Sequence, residues 1–402
     1  MPKTANYTQF SGYQRDTAEI HNILAYQGVV APHTNSPLSE ALLFGISGGI
    51  VAGYFVFEYK GHMPSLHFIN RNSFDPMQTI LERLNIEVNS KGTSSEAKAV
   101  RNLLDALEND QPAIVWATYN AMPYRLPDAG TEDESYTLPL VVYGYNEESD
   151  TVYIADGSLK PLTMNMDTLT RARGHKKSEK YRIMTLNNPS LDNLPEAVKA
   201  GIQDAINNML GEAPLKPMRG KFGLHAFTRW SEALNDPSKK GWAQQFASGE
   251  RMVAMLKSAY HFIHLYGTGG HGARGVFADF LNEAAIILKN TTLNEVALKY
   301  RDVNKLWEDL NLILLPDEVP LLKETRELMQ KDAYLFRNDG MDSLEERKGI
   351  KIRLAELEKQ AQTDFPLSDA DAQAFRERLS QHLLTMRDAE ETAMEALQDA
   401  MH

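Results

Sequence analysis

Strand-like sequence stops at Leu186 in a chain of 402 residues. Up to that point Leu66–Ile69, Ala113–Thr118, Leu138–Tyr145, Thr151–Ala155 and Tyr181–Leu186 are short runs rich in β-branched and aromatic residues, bounded by Pro, Gly, Asn and Asp. Such residues suit a pleated surface buried on one or both faces. Beyond it, Met252, Met255, Leu256, Ala259, Phe262 and Ile263 recur at helical spacing. The expected fold is therefore α+β with an antiparallel sheet, followed by a mainly α-helical domain. Length agrees, since single cores stop growing at about 250–300 residues. The Pro/Asn-rich NNPSLDNLPE beginning at Asn187 reads as the connector, giving domains at 1–187 and 188–402.

Local signals fill in the elements. Asp16–Gly28 reads as a helix with Asp16 as its N-cap, and Ser39 caps a second helix. Leu138–Tyr145 and Thr151–Ala155 pair as an antiparallel hairpin across the polar Asn146–Asp150, and helices cover Asp75–Leu84 and Glu96–Glu108. Val276–Leu288 comes after a glycine break at 267–272; Ser343 with Glu346 and Ser368 with Asp371 read as capping boxes opening a terminal helical hairpin or bundle. Ala41–Phe57 is uncharged for 17 residues. It is at the short limit for a membrane span, holds four glycines, and is flanked by Glu40 and Glu58, so it reads as helix end, glycine turn and strand.

Composition narrows function. With 42 Lys+Arg against 54 Asp+Glu, the formal charge of −12 repels a phosphate backbone, so no nucleic-acid partner is expected. The amino-terminal residues carry no secretory pattern, so the expected address is cytoplasmic, without a membrane. There is no cysteine, which removes disulfides, thiolate metal sites and thiol nucleophiles together.

Several segments, in order, resemble the butirosin-biosynthesis H protein family. They are Glu19-Ile-His-Asn-Ile-Leu-Ala-Tyr, Leu38-Ser-Glu-Ala-Leu-Leu-Phe-Gly-Ile-Ser-Gly-Gly, Met122-Pro-Tyr, Pro139-Leu-Val-Val-Tyr-Gly-Tyr and Val152-Tyr-Ile-Ala-Asp156. Gly267-Thr-Gly-Gly with Arg274, and Phe280-Leu-Asn-Glu-Ala-Ala, resemble the helical domain that commonly accompanies it. The resemblance implies a papain-like fold used for acyl transfer, which needs a thiolate at a helix start, a histidine to take its proton and a third group to hold that histidine. It places the thiol among Arg15, Asp16 and Thr17, the histidine at Thr137 or Leu138, the third group at Asp156, and an oxyanion-hole amide at Gln9 or Gln14. None of the first five is cysteine or histidine, so a thiol mechanism is excluded. Two readings remain. One is a catalytically degenerate member, binding a ligand or serving as an accessory protein in a biosynthetic pathway. The other is an acyltransferase moving an acyl group from a carrier thioester or coenzyme A to an amine without a cysteine. The expected partners are a small-molecule or acyl-carrier ligand, an acyl carrier protein or an active paralogue, and a second copy of the chain; no cofactor is expected. A ligand-sized cleft is expected between the domains.

Replacement chemistry has a few candidates. Thr17 and His21 share a helix face, so with Asp156 they form the candidate catalytic set, although side chains at that spacing stack rather than align. His261 and His264, with His271 and Glu283, have metal-like spacing, but histidines on an aromatic helix are more ordinarily packed, and no metal is expected. Gly267, Gly269 and Gly270 with Arg274 are the candidate ligand-binding loop, since backbone N–H groups and a guanidinium suit an anion. The plainer reading is close helix packing, with Arg274 paired to Asp279 or Glu283. Arg171-Ala-Arg-Gly-His-Lys-Lys, with Lys180 and Arg182, either docks an acidic partner or forms a solvated mobile loop. Glu132-Asp-Glu134 either covers the site or faces a cationic amine, or is plain solvated loop. Tyr119, Met122 and Tyr124 read as core or pocket wall.

Overall fold

The computed structural model describes residues 7–71, 75–126, 136–187, 189–211 and 220–402. The elements run α1 Arg15–Tyr26, β1 Val30–Ala31, β2 Ser36–Pro37, α2 Glu40–Ile46, β3 Ile50–Phe57, β4 Ser65–Arg71, α3 Pro76–Arg83, β5 Val88–Lys91, α4 Glu96–Glu108, β6 Ala113–Thr118, β7 Thr137–Asn146, β8 Thr151–Ala155, β9 Leu162–Met164, α5 Met166–Gly174 and β10 Ile183–Leu186. Helices come next: α6 Leu194–Leu210, α7 Leu224–Asn235, α8 Trp242–Gln245, α9 Gly249–Tyr260, α10 Arg274–Ile287, α11 Thr292–Leu314, α12 Pro320–Asp339, α13 Leu344–Thr363 and α14 Asp369–Ala400. Among the described residues no strand lies after β10.

The first compact unit comprises residues 1–43, 77–193 and 332–351. Its six-stranded sheet has the order β5-β10-β6-β7-β8-β9, every pair antiparallel. All of β6 is buried because its uninterrupted apolar run is covered on both faces. Leu103 from α4, Leu169 from α5, and Val115, Val142, Ile154 and Ile183 from the sheet share one core. The hairpin β7–β8 forms as its polar loop indicates, with Val142 opposite Ile154. This is the α+β, antiparallel arrangement legible in the sequence.

The second unit comprises residues 44–76, 194–331 and 352–402. Its division from the first does not fall at 187/188. The β3–β4 ribbon, which holds the Leu66–Ile69 strand, joins the helices because its buried face meets their tryptophans. Tyr54 stacks on Trp230 at 5.8 Å, and Phe68 lies 5.6 Å from both Trp230 and Trp307. Conversely, residues 332–351 return to the first unit, where Arg347 Nη1 donates to Tyr124 O at 3.1 Å. Ala41–Phe57 contains the helix end, turn and strand expected of it. Gly45 is needed there for close approach, since an added Cβ would sit 2.0 Å from the Phe280 ring.

Other local expectations need correction. Asp16 lies in the first turn of α1, and the N-cap is Gln14, whose side chain makes no cap bond. Ser343 Oγ donates to Gly340 O at 2.9 Å and Leu335 O at 3.2 Å, closing the end of α12. The box at Ser368 and Asp371 is present. Of the two expected endings, hairpin or bundle, the packing is that of a bundle: α14 lies chiefly on α7 and α11. Among the described residues no helix is long and apolar enough to cross a membrane.

Candidate functional site

Asp156 directly follows β8 and is 1% exposed. Three side chains of the first unit converge on its carboxylate. Arg15, the first residue of α1, donates from Nε to Oδ1 at 3.0 Å. Arg125 donates to Oδ2 from Nη2 at 2.5 Å and from Nε at 3.2 Å, and its Nη2 also reaches the Asp156 carbonyl at 2.9 Å. The Tyr124 hydroxyl adds a bond to Oδ2 at 3.1 Å. Burial pushes this carboxyl upward, but the guanidinia, Arg125 ahead of Arg15, bring it down to about 2. Asp156 is thus a fixed anion. Glu19, buried on α1, goes the opposite way: burial first, then the Asp156 charge, pushes it well above the ordinary carboxyl range.

The start of α1 is held by an acid of the Leu38–Gly49 segment to which the sequence assigns no site role. Glu40 accepts from Tyr13 N at 2.8 and 2.9 Å, from Gln14 N at 2.9 Å and from Thr17 Oγ1 at 2.9 Å. A carboxylate there satisfies helix-terminal N–H groups and complements the helix dipole. Thr17 also donates to Gln14 O at 3.0 Å, so its hydroxyl turns inward. One turn on, His21 Nδ1 donates to Leu38 O at 2.7 Å and its ring packs 4.0 Å from Phe10. Burial lowers its pKa. Of the expected catalytic set, Thr17 and His21 do not meet Asp156; Arg15 is the α1 residue bonded to it. Thr137 opens β7 directly opposite Thr118, and both hydroxyls are buried without a partner. Gln9 Nε2 is bonded to Ser158 O and Lys160 O at 2.8 and 2.7 Å, while Gln14 Oε1 is buried and unpartnered.

Residues 16–157 match the family described as butirosin biosynthesis protein H, N-terminal, and residues 167–328 match a domain of unknown function (DUF4872). Residues 16–157 therefore form a butirosin biosynthesis protein H N-terminal domain, and a DUF4872 domain follows it. The papain-like fold of that family agrees with the antiparallel sheet of the first unit and the helical character of the second. None of the curated proteins matches the chain. Arg15 stands in the helix-start region where the resemblance sets a thiol, immediately before the matched residues, and its side chain bonds the carboxylate that would hold the histidine.

The glycine loop of the second unit is built around a buried cation. Arg274 is 0% exposed; Nε meets Glu390 Oε1 at 2.6 Å, and Nη1 donates to Gly272 O at 2.7 Å, Asn70 O at 3.2 Å and Val51 O at 3.3 Å. Its guanidinium carbon lies 4.5 Å from the Trp307 ring, whose Nε1 donates to the same Glu390 oxygen at 2.9 Å. Such a guanidinium has no face left for an external anion. Neither Asp279 nor Glu283 is its acid; Asp279 pairs with Arg301. Gly267, Gly269 and Gly270 have φ of 64°, 65° and 83°, a conformation glycine adopts at little cost. His264 is buried with both ring nitrogens unpartnered, 5.6 Å from the His271 ring, and His261 stacks on Tyr266 at 5.7 Å. Among the described residues no three His, Cys, Asp or Glu side chains are grouped to hold a metal ion.

The basic stretch is solvated at Arg171, His175, Lys176, Lys177 and Lys180, but it is regular structure rather than irregular loop. It ends α5, continues through a 3₁₀ turn at Lys177–Glu179, and is tied down. Arg173 is buried and donates to Tyr181 O at 2.8 Å; Arg182 stacks 3.5 Å over Trp116. Met122 and Tyr124 are buried, while Tyr119 is half-buried beside the arginines. Glu132-Asp-Glu134 lies outside the described residues.

Proposed function

We propose that this chain is a catalytically degenerate member of its family that binds a small-molecule or acyl-carrier ligand, as an accessory protein of a biosynthetic pathway. The observation that carries the reading is the occupancy of Asp156. A carboxylate that orients a proton-accepting imidazole must offer an oxygen to that ring. Here both oxygens are bonded by Arg15, Arg125 and Tyr124. His21 donates to a backbone carbonyl, and Thr17 is hydrogen-bonded to Glu40 and Gln14 O. No cysteine is available to carry an acyl group. Removing members of such a unit leaves only the residual rate that positioning and an oxyanion hole supply.

The test mixes the full chain with an acyl-coenzyme A or acyl-pantetheine thioester and a simple primary amine, and monitors intact protein mass and amide formation. The expected result is an unmodified mass and amide formation at the rate of the protein-free control. A stoichiometric acyl adduct, or amide formed with turnover, overturns the reading in favour of a cysteine-independent acyltransferase.

A further inference from the structure

Helices α7 and α14 of the second unit lie antiparallel, since Arg387 reaches Thr228 while Ser380 is bonded by Ser231 and Asn235. Helix α7 stops at Asn235; Asp236 is extended, and Pro237 cannot continue the helix. The first turns of α14 reach past that end. They leave Gln373, Arg376, Glu377, Ser380 and Gln381, spaced three and four apart, along one side of a cavity of about 510 Å³. Leu234, Pro237 and Ala243 form its apolar wall.

Arg376 is 8% exposed, and its Nη1 donates to Ala247 O at 3.0 Å, which fixes the guanidinium plane. Nε and Nη2 have no partner and are not among the enclosed atoms, so this edge of the fork is open to the cavity. Among the described residues no carboxylate pairs with it. Burial lowers its pKa, and the charges of Asp369 and then Glu377 offset only part of that. Such an edge matches the two oxygens of a carboxylate. At the exposed rim, Glu377 Oε1 accepts from Gln373 Nε2 at 2.9 Å and its Oε2 has no partner. Asn235 spends Nδ2 on Ser380 Oγ at 2.8 Å, which leaves its Oδ1 as a second acceptor. A purely anionic ligand meets the Glu377 charge, whereas one that carries an ammonium beyond its carboxylate complements both groups.

We infer that this cavity binds a small amino-carboxylic acid, its carboxylate on the Nε–Nη2 edge of Arg376, its apolar body against Leu234 and Pro237, and its ammonium at Glu377 and Asn235 Oδ1. The site lies within the second unit and is independent of the reading given for the first.

Saturation-transfer NMR of the full chain with 6-aminohexanoate, hexanoate and hexylamine, at constant pH and ionic strength, tests it. Saturable binding is expected for the two carboxylates, with 6-aminohexanoate half-saturating at roughly a fifth of the hexanoate concentration, and none for hexylamine. Arg376→Lys keeps the charge but loses the planar fork, and is expected to weaken both about tenfold. Glu377→Gln is expected to remove the advantage of 6-aminohexanoate over hexanoate, a change that a merely structural role for this exposed side chain would not produce. The inference is overturned when neither carboxylate saturates, when hexylamine binds as well as hexanoate, or when either variant leaves the three affinities at their native values. Should Arg376→Lys lose its near-ultraviolet circular dichroism, the Arg376 Nε–H resonance of the native chain takes its place. A shift that saturates with 6-aminohexanoate supports the site, and an unmoved resonance overturns it.

Discussion

Two buried acids, Glu19 in α1 and Asp156 just after β8, respond to pH in opposite directions, and the reason is which neighbours burial gave them. Asp156 has guanidinia on both oxygens and titrates at about 2 in the fold, against an ordinary 3.8. Its folded-state pKa is depressed, so its contribution is complete above the unfolded value and is lost as pH falls from about 3.8 towards 2. That loss amounts to roughly 2 kcal/mol over the window, and Asp156→Asn should abolish the acid-limb step in a stability-against-pH curve. Near neutral pH the same variant leaves two guanidinia beside an amide, and denaturant unfolding should show a loss of about 3–5 kcal/mol. Glu19 has burial without a direct cation, and its folded-state pKa is raised. The native state then holds the extra proton, so its effect is a loss of stability that sets in as pH rises above the unfolded value of 4.5. Glu19→Gln should therefore raise the melting temperature near neutral pH and leave it unchanged near pH 4. A variant equally altered at both pH values would show that the carboxyl is not the titrating group.

Whether an element is legible in the sequence depends on whether its own residues or its neighbours determine it. The strand β6 and helix α4 are legible to the residue because Ala113–Thr118 is a bounded apolar run and Ser95 caps Glu96–Glu108, accepting from Lys98 N at 3.4 Å. Strand β5 is not. Val-Asn-Ser-Lys is exposed throughout and gains its ladder from β10, a partner nearly a hundred residues away. Helix α5 is masked by the charges of Arg171 and Arg173, although Asn165 caps it with a bond to Thr168 N at 2.8 Å, a signal the sequence does carry. At the site, Asp156 comes from the resemblance, and Arg15 is only one of three registers for the thiol. Arg125 and Glu40 carry no local periodicity that would mark them. Glycine in α2 gives a prediction at this scale. Gly45→Ala drives a methyl into the Phe280 ring, and overpacking of this kind costs about 1–3 kcal/mol, measurable as a lower denaturation midpoint with unchanged slope.

The two compact units are threaded through one another in sequence, each assembled from three separate segments. No local feature announces this, because the return of residues 332–351 depends on side chains such as Arg347 and Met341, whose partners Tyr124 O and Thr163 N lie in the first unit. A fragment cut at the apparent sequence boundary, residues 1–187, should fail to fold alone. It lacks the 332–351 segment and carries the β3–β4 ribbon without the tryptophans that cover Tyr54 and Phe68. Loss of near-ultraviolet circular dichroism and poor amide dispersion in that fragment are the expected readout. A well-dispersed spectrum would show the first unit to be self-sufficient. The double grip on Asp156 also bears on how this chain could change over generations. A single replacement installing sulfur at position 15 would leave Arg125 still bound to the carboxylate and still supply no imidazole at the start of β7. A replacement at Arg15 would thus loosen the grip on Asp156 without completing a nucleophile–imidazole pair, so the two guanidinia and their shared carboxylate can only be exchanged together.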